Sequence, residues 1–212
     1  MGTFVKGILG GFSGTVGTVI GGSWKGIDYM RSQPARKTGT VTQAQLEQQM
    51  KFGMMVKFLQ SMSGLLSVSF RNYAIKMTGP NNALSYNLKN AITGTYPLYT
   101  IDYSLVLVSR GDMPNATNPA AVAGTAGKVN FSWVNNAGTG KAKNTDKALL
   151  AVYCEDFNQA IYTTGSASRS AGAEILDVTP FSGKEVQVYI GFISEDNREV
   201  ATSTYLGQVT VA

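Results

Sequence analysis

Histidine is absent from the 212 residues, and cysteine occurs once. Without an imidazole there is no Ser/His/Asp triad, no Cys/His dyad and no His-ligated metal. With Cys154 alone there is no internal disulfide and no thiolate cluster for zinc or iron–sulfur. Its neighbours Leu149 to Tyr153 are those of a strand, where a thiol packs as a small hydrophobe. Charged residues make up 15% of the chain, against a typical figure of about 25%, so Gly, Ser, Thr, Asn and Gln must supply much of the surface. Long apolar runs are missing as well. No stretch reaches 18 consecutive apolar residues, which predicts no membrane-spanning helix. Gly10, Gly11, Gly14 and Gly17 interrupt the N-terminal apolar stretch that a signal peptide would keep unbroken. The expected location is therefore cytoplasmic or inside a virion-like particle.

What is present falls into two halves of opposite charge. Residues 1–90 carry ten Lys/Arg against Asp28 and Glu47, a net of +8, whereas residues 91–212 carry eight basic and eleven acidic residues, a net of −3. Such a split suggests an anionic partner or head-to-tail contact between copies.

In the first half, Thr15–Ile20 and Ser23–Arg31 read as two strands, and Gly21-Gly22 between them predicts a tight hairpin turn, with a bulge at Gly26. Neither GxxxxGK[ST] nor GxGxxG occurs in this glycine-rich stretch, so phosphate cradling is not supported. After a linker containing Arg36 and Lys37, Thr42 and Gln45 form a capping box. Leu46, Met50, Met54, Phe58 and Met62, widened by Met55 and Leu59, then trace one apolar face of a helix. Gly64 is expected to break or bend that helix, with Leu65–Phe70 resuming it. Gly79-Pro80 reads as a stop, followed by a short helix over Asn82–Ile92.

From Tyr99 the apolar period becomes two. Strands are expected at 100–109, 128–134, 147–154, 159–163, 174–178, 185–193 and 200–211, the last bent at Gly207. Seven short strands separated by turn signals indicate an antiparallel sandwich. The chain is thus expected to be α+β: an N-terminal glycine-rich β-hairpin and helical segment over residues 1–97, then an antiparallel immunoglobulin-like β-sandwich over 98–212. Phe131, Trp133, Leu150, Val152, Val188, Ile190 and Phe192 are its expected core.

Lys128–Trp133 resembles the second strand of the fibronectin type III family, which ends in a buried Trp. Ile175–Tyr189 resembles that family's leucine-bearing turn into the sixth strand. The usual corner tyrosine is absent, with Val186 near its place. The resemblance implies an immunoglobulin-like sandwich. The whole chain also resembles an uncharacterised family of about 210-residue proteins from Bacteroidota bacteria. That likeness rests on Gly14–Ile20, Ser23–Arg31 and Ser85–Ile92, and the family is one of unknown function, so it implies no activity.

No catalytic, cofactor or metal site is expected. Glu155-Asp156 and Glu195-Asp196 stand where strands end, as solvated turn acids do, and Arg110-Gly111-Asp112 reads as a turn. The preferred reading is a non-enzymatic structural protein that self-assembles into a homo-oligomer, as a phage-like virion component or filament subunit. Trp24, Lys25, Ile27, Tyr29 and Arg31 are its expected assembly interface, because large rigid aromatics anchor interfaces. The alternative is nucleic-acid binding through Lys25, Arg31, Arg36, Lys37 and Lys51, where cations interleave with aromatics. A third reading is an adhesive or carbohydrate-binding module. No small-molecule substrate is expected.

Overall fold

A computed structural model of the chain describes residues 2–4, 7, 10–35, 40–74 and 76–212. They divide into two compact units, residues 1–42 and 43–212. The fold is α+β, with antiparallel sheets throughout the described residues.

The first unit is a four-stranded meander of β1 (Thr3–Phe4), β2 (Phe12–Val16), β3 (Val19–Trp24) and β4 (Ile27–Ser32), hydrogen-bonded in that order. Gly21 and Gly22 are not its turn, as the sequence suggested. They pair inside β3 with Met30 and Tyr29. The turn is Lys25-Gly26, where φ is 48° and 80°, the left-handed pair that a two-residue hairpin loop requires. Glycine stands at 21 for closeness: a Cβ there would run into the Phe12 carbonyl and ring. Among the described residues of this unit, Gly21 alone is buried.

The second unit opens with α1 (Gln43–Gln60), α2 (Ser63–Ser69) and α3 (Gly79–Asn90). The helix does break as expected, but at Ser61-Met62 rather than at Gly64, which lies inside α2. Gly79-Pro80, in contrast, begins a helix. Thr78 Oγ1 accepts from the Asn81 N–H at 3.3 Å, and proline at a helix start gives up only an N–H that would be unpaired anyway. The apolar face of α1 is buried only at Met55, Phe58 and Leu59, with Met62 just beyond. Leu46 and Met50 are exposed. The first turns meet the next hairpin through polar groups instead: Glu47 accepts from the Tyr99 hydroxyl at 3.2 Å, and Lys51 Nζ sits 4.5 Å from the Tyr99 ring.

That hairpin is β5 (Ile92–Thr95) with β6 (Leu98–Ile101). The long strand expected over 100–109 stops at Ile101, because Asp102 Oδ1 accepts from the Ser104 N–H at 3.0 Å and so turns the chain. The first sandwich strand is instead β7 (Thr117–Ala123), which Asn118-Pro119 disguises as a loop. Proline is tolerated there because β7 is an edge strand with a register shift between Thr117 and Ala120.

The remaining strands are β8 (Lys128–Val134), β9 (Lys147–Cys154), β10 (Gln159–Tyr162), β11 (Ala173–Asp177), β12 (Glu185–Ile193) and β13 (Thr204–Thr210). They form sheets of order β10-β9-β12-β13 and β11-β8-β7. This four-plus-three arrangement is the immunoglobulin-like sandwich. Gly207, at φ 102°, marks the expected irregularity in β13, where the register against β12 shifts.

The expected core residues all lie between the sheets, and Cys154 is buried with them. In β9, Leu150 and Val152 point into that core, while Leu149, Ala151 and Tyr153 point outward into a second core with Met55, Phe58, Leu65 and Phe70. The helices therefore cover one outer face of the sandwich. This double burial explains why β9 and β12 read as continuous apolar runs whereas β8, covered on one face, alternates. Among the described residues no helix is long and apolar enough to cross a membrane.

Candidate functional site

Strand pairing puts the expected anchors on one surface. Trp24 pairs with Ile27, Gly22 with Tyr29 and Ile20 with Arg31, and since alternate residues share a face, Trp24, Ile27, Tyr29, Ile20 and Arg31 stand together. Tyr29 lies over Gly22, within 3.0 Å of where a Cβ would be. Trp24, Ile27 and Tyr29 are 56%, 50% and 48% exposed. The opposite face exposes Met30, at 72%, along with Val16 and Val19. Every residue of β4 is exposed, and among the described residues β4 is an edge of its sheet.

The basic residues proposed for nucleic acid are less concentrated. Lys25 lies in the β3–β4 turn and Arg31 in β4, whereas Lys51 belongs to α1 in the other unit and stacks on Tyr99. Arg36 and Lys37 fall outside the described residues.

In the second unit a cleft of about 450 Å³ opens between α1, β6 and the β9–β10 turn. Tyr99, Tyr103, Tyr153 and Phe58 form its aromatic walls, with Lys57 and Glu155 among its polar groups. The Phe58 ring meets the Tyr153 and Tyr103 rings edge-on, at 4.6 and 5.8 Å between centroids. The Tyr153 hydroxyl donates to Asn158 Oδ1 at 2.9 Å. Burial, followed by the Glu155 charge, pushes the Tyr103 phenol well above its ordinary value, and the same two causes raise Tyr153 to about 12. Both phenols thus remain donors at neutral pH. Glu155 is exposed, as a turn acid should be, yet it lines this cleft.

Sequence reasoning missed a buried ion pair. The Arg169 side chain is 0% exposed, and its Nε lies 3.1 Å from Asp146 Oδ2, also 0% exposed. The guanidinium further donates to Asn136 Oδ1 at 2.7 Å and to the Pro114 carbonyl at 3.0 Å, and it lies 4.2 Å from the Phe192 ring centroid. Trp133 Nε1 donates to the Arg169 carbonyl at 2.8 Å. Desolvation lowers the Arg169 pKa, opposed by the Asp146 charge. One arginine so fixes several loops at one end of the sandwich. Nothing in the local sequence around Ser168-Arg169-Ser170 distinguishes it from a surface arginine. Among the described residues no three His, Cys, Asp or Glu side chains cluster to hold a metal ion.

No curated protein sequence matches the chain significantly. Among solved structures, the chain is similar to the fn3 domain of human collagen alpha-1(XX) chain, at 11% identity and TM-score 0.36, covering 49% of this chain and 91% of that one. It is likewise similar to the chicken CNTN1 FN1-FN3 domains, at 11% identity and TM-score 0.38, covering 49% and 36%. Residues 11–207 match the sequence family described as "Family of unknown function (DUF6266)". With that match running from the start of β2 into β13, the chain belongs to the DUF6266 family.

Proposed function

We propose that this protein is a non-enzymatic structural protein that acts by self-assembly, as a phage-like virion component or filament subunit, with the N-terminal sheet of one copy seated on the sandwich of the next. The observation that carries the reading is the exposed face of Trp24, Ile27 and Tyr29 on a sheet with almost no interior. Such a sheet gains little from folding alone, because three or four strands need an apolar face covered by something else. The sandwich offers a matching surface. Its four-stranded sheet is covered by helices, but the outer face of β11-β8-β7 leaves Ile175, Val122 and Val134 exposed. Ile175 and Val122 both pair with Asn130, so they stand in one row. Asp177 at the end of β11 gives Lys25 or Arg31 a counter-charge, in keeping with the basic and acidic halves of the chain.

Light scattering on the full chain tests this. The wild type should be oligomeric, the Trp24→Ala/Tyr29→Ala double variant monomeric, and added salt should weaken assembly. A wild type that stays monomeric at every accessible concentration, in low salt, rules the proposal out.

The aromatic cleft favours a second reading, an adhesive or carbohydrate-binding module. Tyr99 and Tyr103 provide ring faces, and the neighbouring Glu155, Asn158 and Lys57 provide hydrogen-bonding groups around a polyhydroxylated ligand.

A further inference from the structure

Residues 48–101 contain five Lys/Arg and no Asp or Glu. Two cations of the second unit meet in a pocket of about 220 Å³, lined by Asn82, Ser85, Tyr86, Lys89 and Asn90 of α3 together with Arg110. Arg110 is held unusually firmly for a residue outside regular structure. Its Cζ lies 4.6 Å from the Tyr73 ring centroid and 5.0 Å from that of Tyr86. Its backbone N–H donates to the Ser69 carbonyl at 3.3 Å, and the preceding Ser109 hydroxyl is buried against the Ala201 carbonyl at 2.8 Å.

The two rings are themselves anchored. The Tyr73 hydroxyl donates to Asp112 Oδ1 at 2.7 Å, and Asn82 donates to the Tyr73 carbonyl. Asn90 Nδ2 donates to the Tyr86 carbonyl at 2.7 Å. Asp112, the acid nearest in sequence to Arg110, is therefore engaged by Tyr73. Among the described residues neither Arg110 nor Lys89 forms an ion pair. A guanidinium held over aromatic rings, with no carboxylate paired to it, has N–H groups to offer an oxyanion, and its fork matches phosphate geometry.

We propose that this pocket is a phosphate-binding site, with Arg110 as the fork, Lys89 as the second charge and the Ser85 hydroxyl as a neutral donor. No carboxylate lines it, and its two positive charges balance the dianion of inorganic phosphate or a phosphate monoester better than they balance a single carboxylate. Its volume is below the range of about 300–1,000 Å³ typical of whole-ligand pockets, so it holds a phosphoryl group whose carrier extends into solvent. The carrier is either a small phosphate ester or the backbone of a nucleic acid.

Calorimetric titration of the full chain with inorganic phosphate, with a nucleoside monophosphate and with a short single-stranded oligonucleotide tests the site. Phosphate should bind with one-to-one stoichiometry. Arg110→Lys, which keeps the charge and loses the fork, should weaken binding about tenfold, or about 1.4 kcal/mol. Lys89→Gln, at an exposed helix end where folding is not at stake, should weaken it to a similar degree, and Lys184→Gln, whose ammonium pairs with Asp156 at 2.8 Å and lines neither this pocket nor the aromatic cleft, should leave it unchanged. Competition by the monophosphate alone identifies a small ester as the carrier, and competition by the oligonucleotide identifies a nucleic-acid backbone. Absence of phosphate binding at millimolar concentration overturns the proposal. Equal binding by the wild type, Arg110→Lys and Lys89→Gln also overturns it.

Discussion

The two sheet systems of this chain use similar residues and reach opposite states. Both contain β-branched and aromatic side chains on paired antiparallel strands. In the sandwich each sheet covers the other, and the helices cover the outer face of the four-stranded sheet, so Trp133 is 5% exposed. In the N-terminal meander Gly21 alone is buried among the described residues, and Trp24 is exposed. The difference lies in layers rather than in strand propensity: a sheet becomes a core only when a second layer excludes water from it. A strand-rich segment without a second layer is either marginal or awaiting a partner.

The sharpest way to break the interior side of this contrast is at its buried charge. Asp146→Ala leaves the Arg169 guanidinium enclosed without its counter-ion, at an expected cost of about 3–5 kcal/mol, read from the midpoint of denaturant unfolding. Asp146 also accepts from the Lys143 N–H at 2.8 Å, and its Oδ1 has no partner among the described residues. The pair is therefore imperfectly satisfied even in the wild type. An apolar replacement of both partners should cost less than the single one.

Next come the two tryptophans. Trp133→Ala empties a site packed against Phe192, with ring centroids 5.4 Å apart, and it also removes a hydrogen bond. The expected loss is about 3–5 kcal/mol. Trp24→Ala, measured at a dilution where the protein is monomeric, should stay within about 0.5 kcal/mol of wild type, as exposed substitutions do. Equal losses at the two positions would show that the meander has an interior of its own.

The same layering governs how much was legible in the sequence. Val129, Phe131 and Trp133 were readable as a buried face because β8 is covered on one side and so alternates. β7 was not readable, since Asn118-Pro119 is loop chemistry that only an edge strand admits. Gly21-Gly22 looked like a turn because glycine serves both turns and close backbone approaches, and only the position of Phe12 separates the two uses. Of the expected anchors, Ile27 and Tyr29 alternate along β4 and so share a face, whereas Trp24 joins them only through the Lys25-Gly26 turn, which a reading that put the turn at Gly21-Gly22 could not supply. The Arg110 and Arg169 sites were invisible, because each depends on side chains brought from distant segments, Tyr73 and Tyr86 for one, Asp146 and Asn136 for the other.

A smaller effect should appear in alkali and belong to the sandwich unit alone. Burial raises the phenol of Tyr153 from its ordinary value of 10.0 to about 12, and it raises Tyr103 and Tyr189 as well. In the unfolded chain these phenols lose their protons near pH 10, while the folded chain keeps them. Between pH 10 and about 12 the unfolded state therefore binds fewer protons, and stability falls as pH rises. Below pH 10 these groups make no pH-dependent contribution. Denaturant midpoints measured across this window should decline, and Tyr153→Phe should make the decline shallower. An unchanged slope would mean that Tyr153 ionises in the folded protein as freely as in the unfolded chain.

The smallest expected effect on stability comes from removing the meander altogether. Residues 43–212 contain both cores, the one between the sheets and the one under the helices, and the members of each are contributed by that unit. A chain beginning at Val41, which keeps Thr42 at the head of α1, should therefore keep its circular dichroism signal for helix and sandwich, and unfold within about 1 °C of the full chain, since a loss of even 1 kcal/mol moves the midpoint of a domain this size by about 2–4 °C. What should change is association: light scattering should find the truncated chain monomeric at concentrations where the full chain is not. A midpoint lowered by many degrees would mean that the sandwich unit depends on the meander for its folding, and the contrast between a closed sheet and an open one would be lost. An unchanged midpoint with unchanged oligomer size would leave the contrast standing but place the joining surface elsewhere, on the sandwich itself.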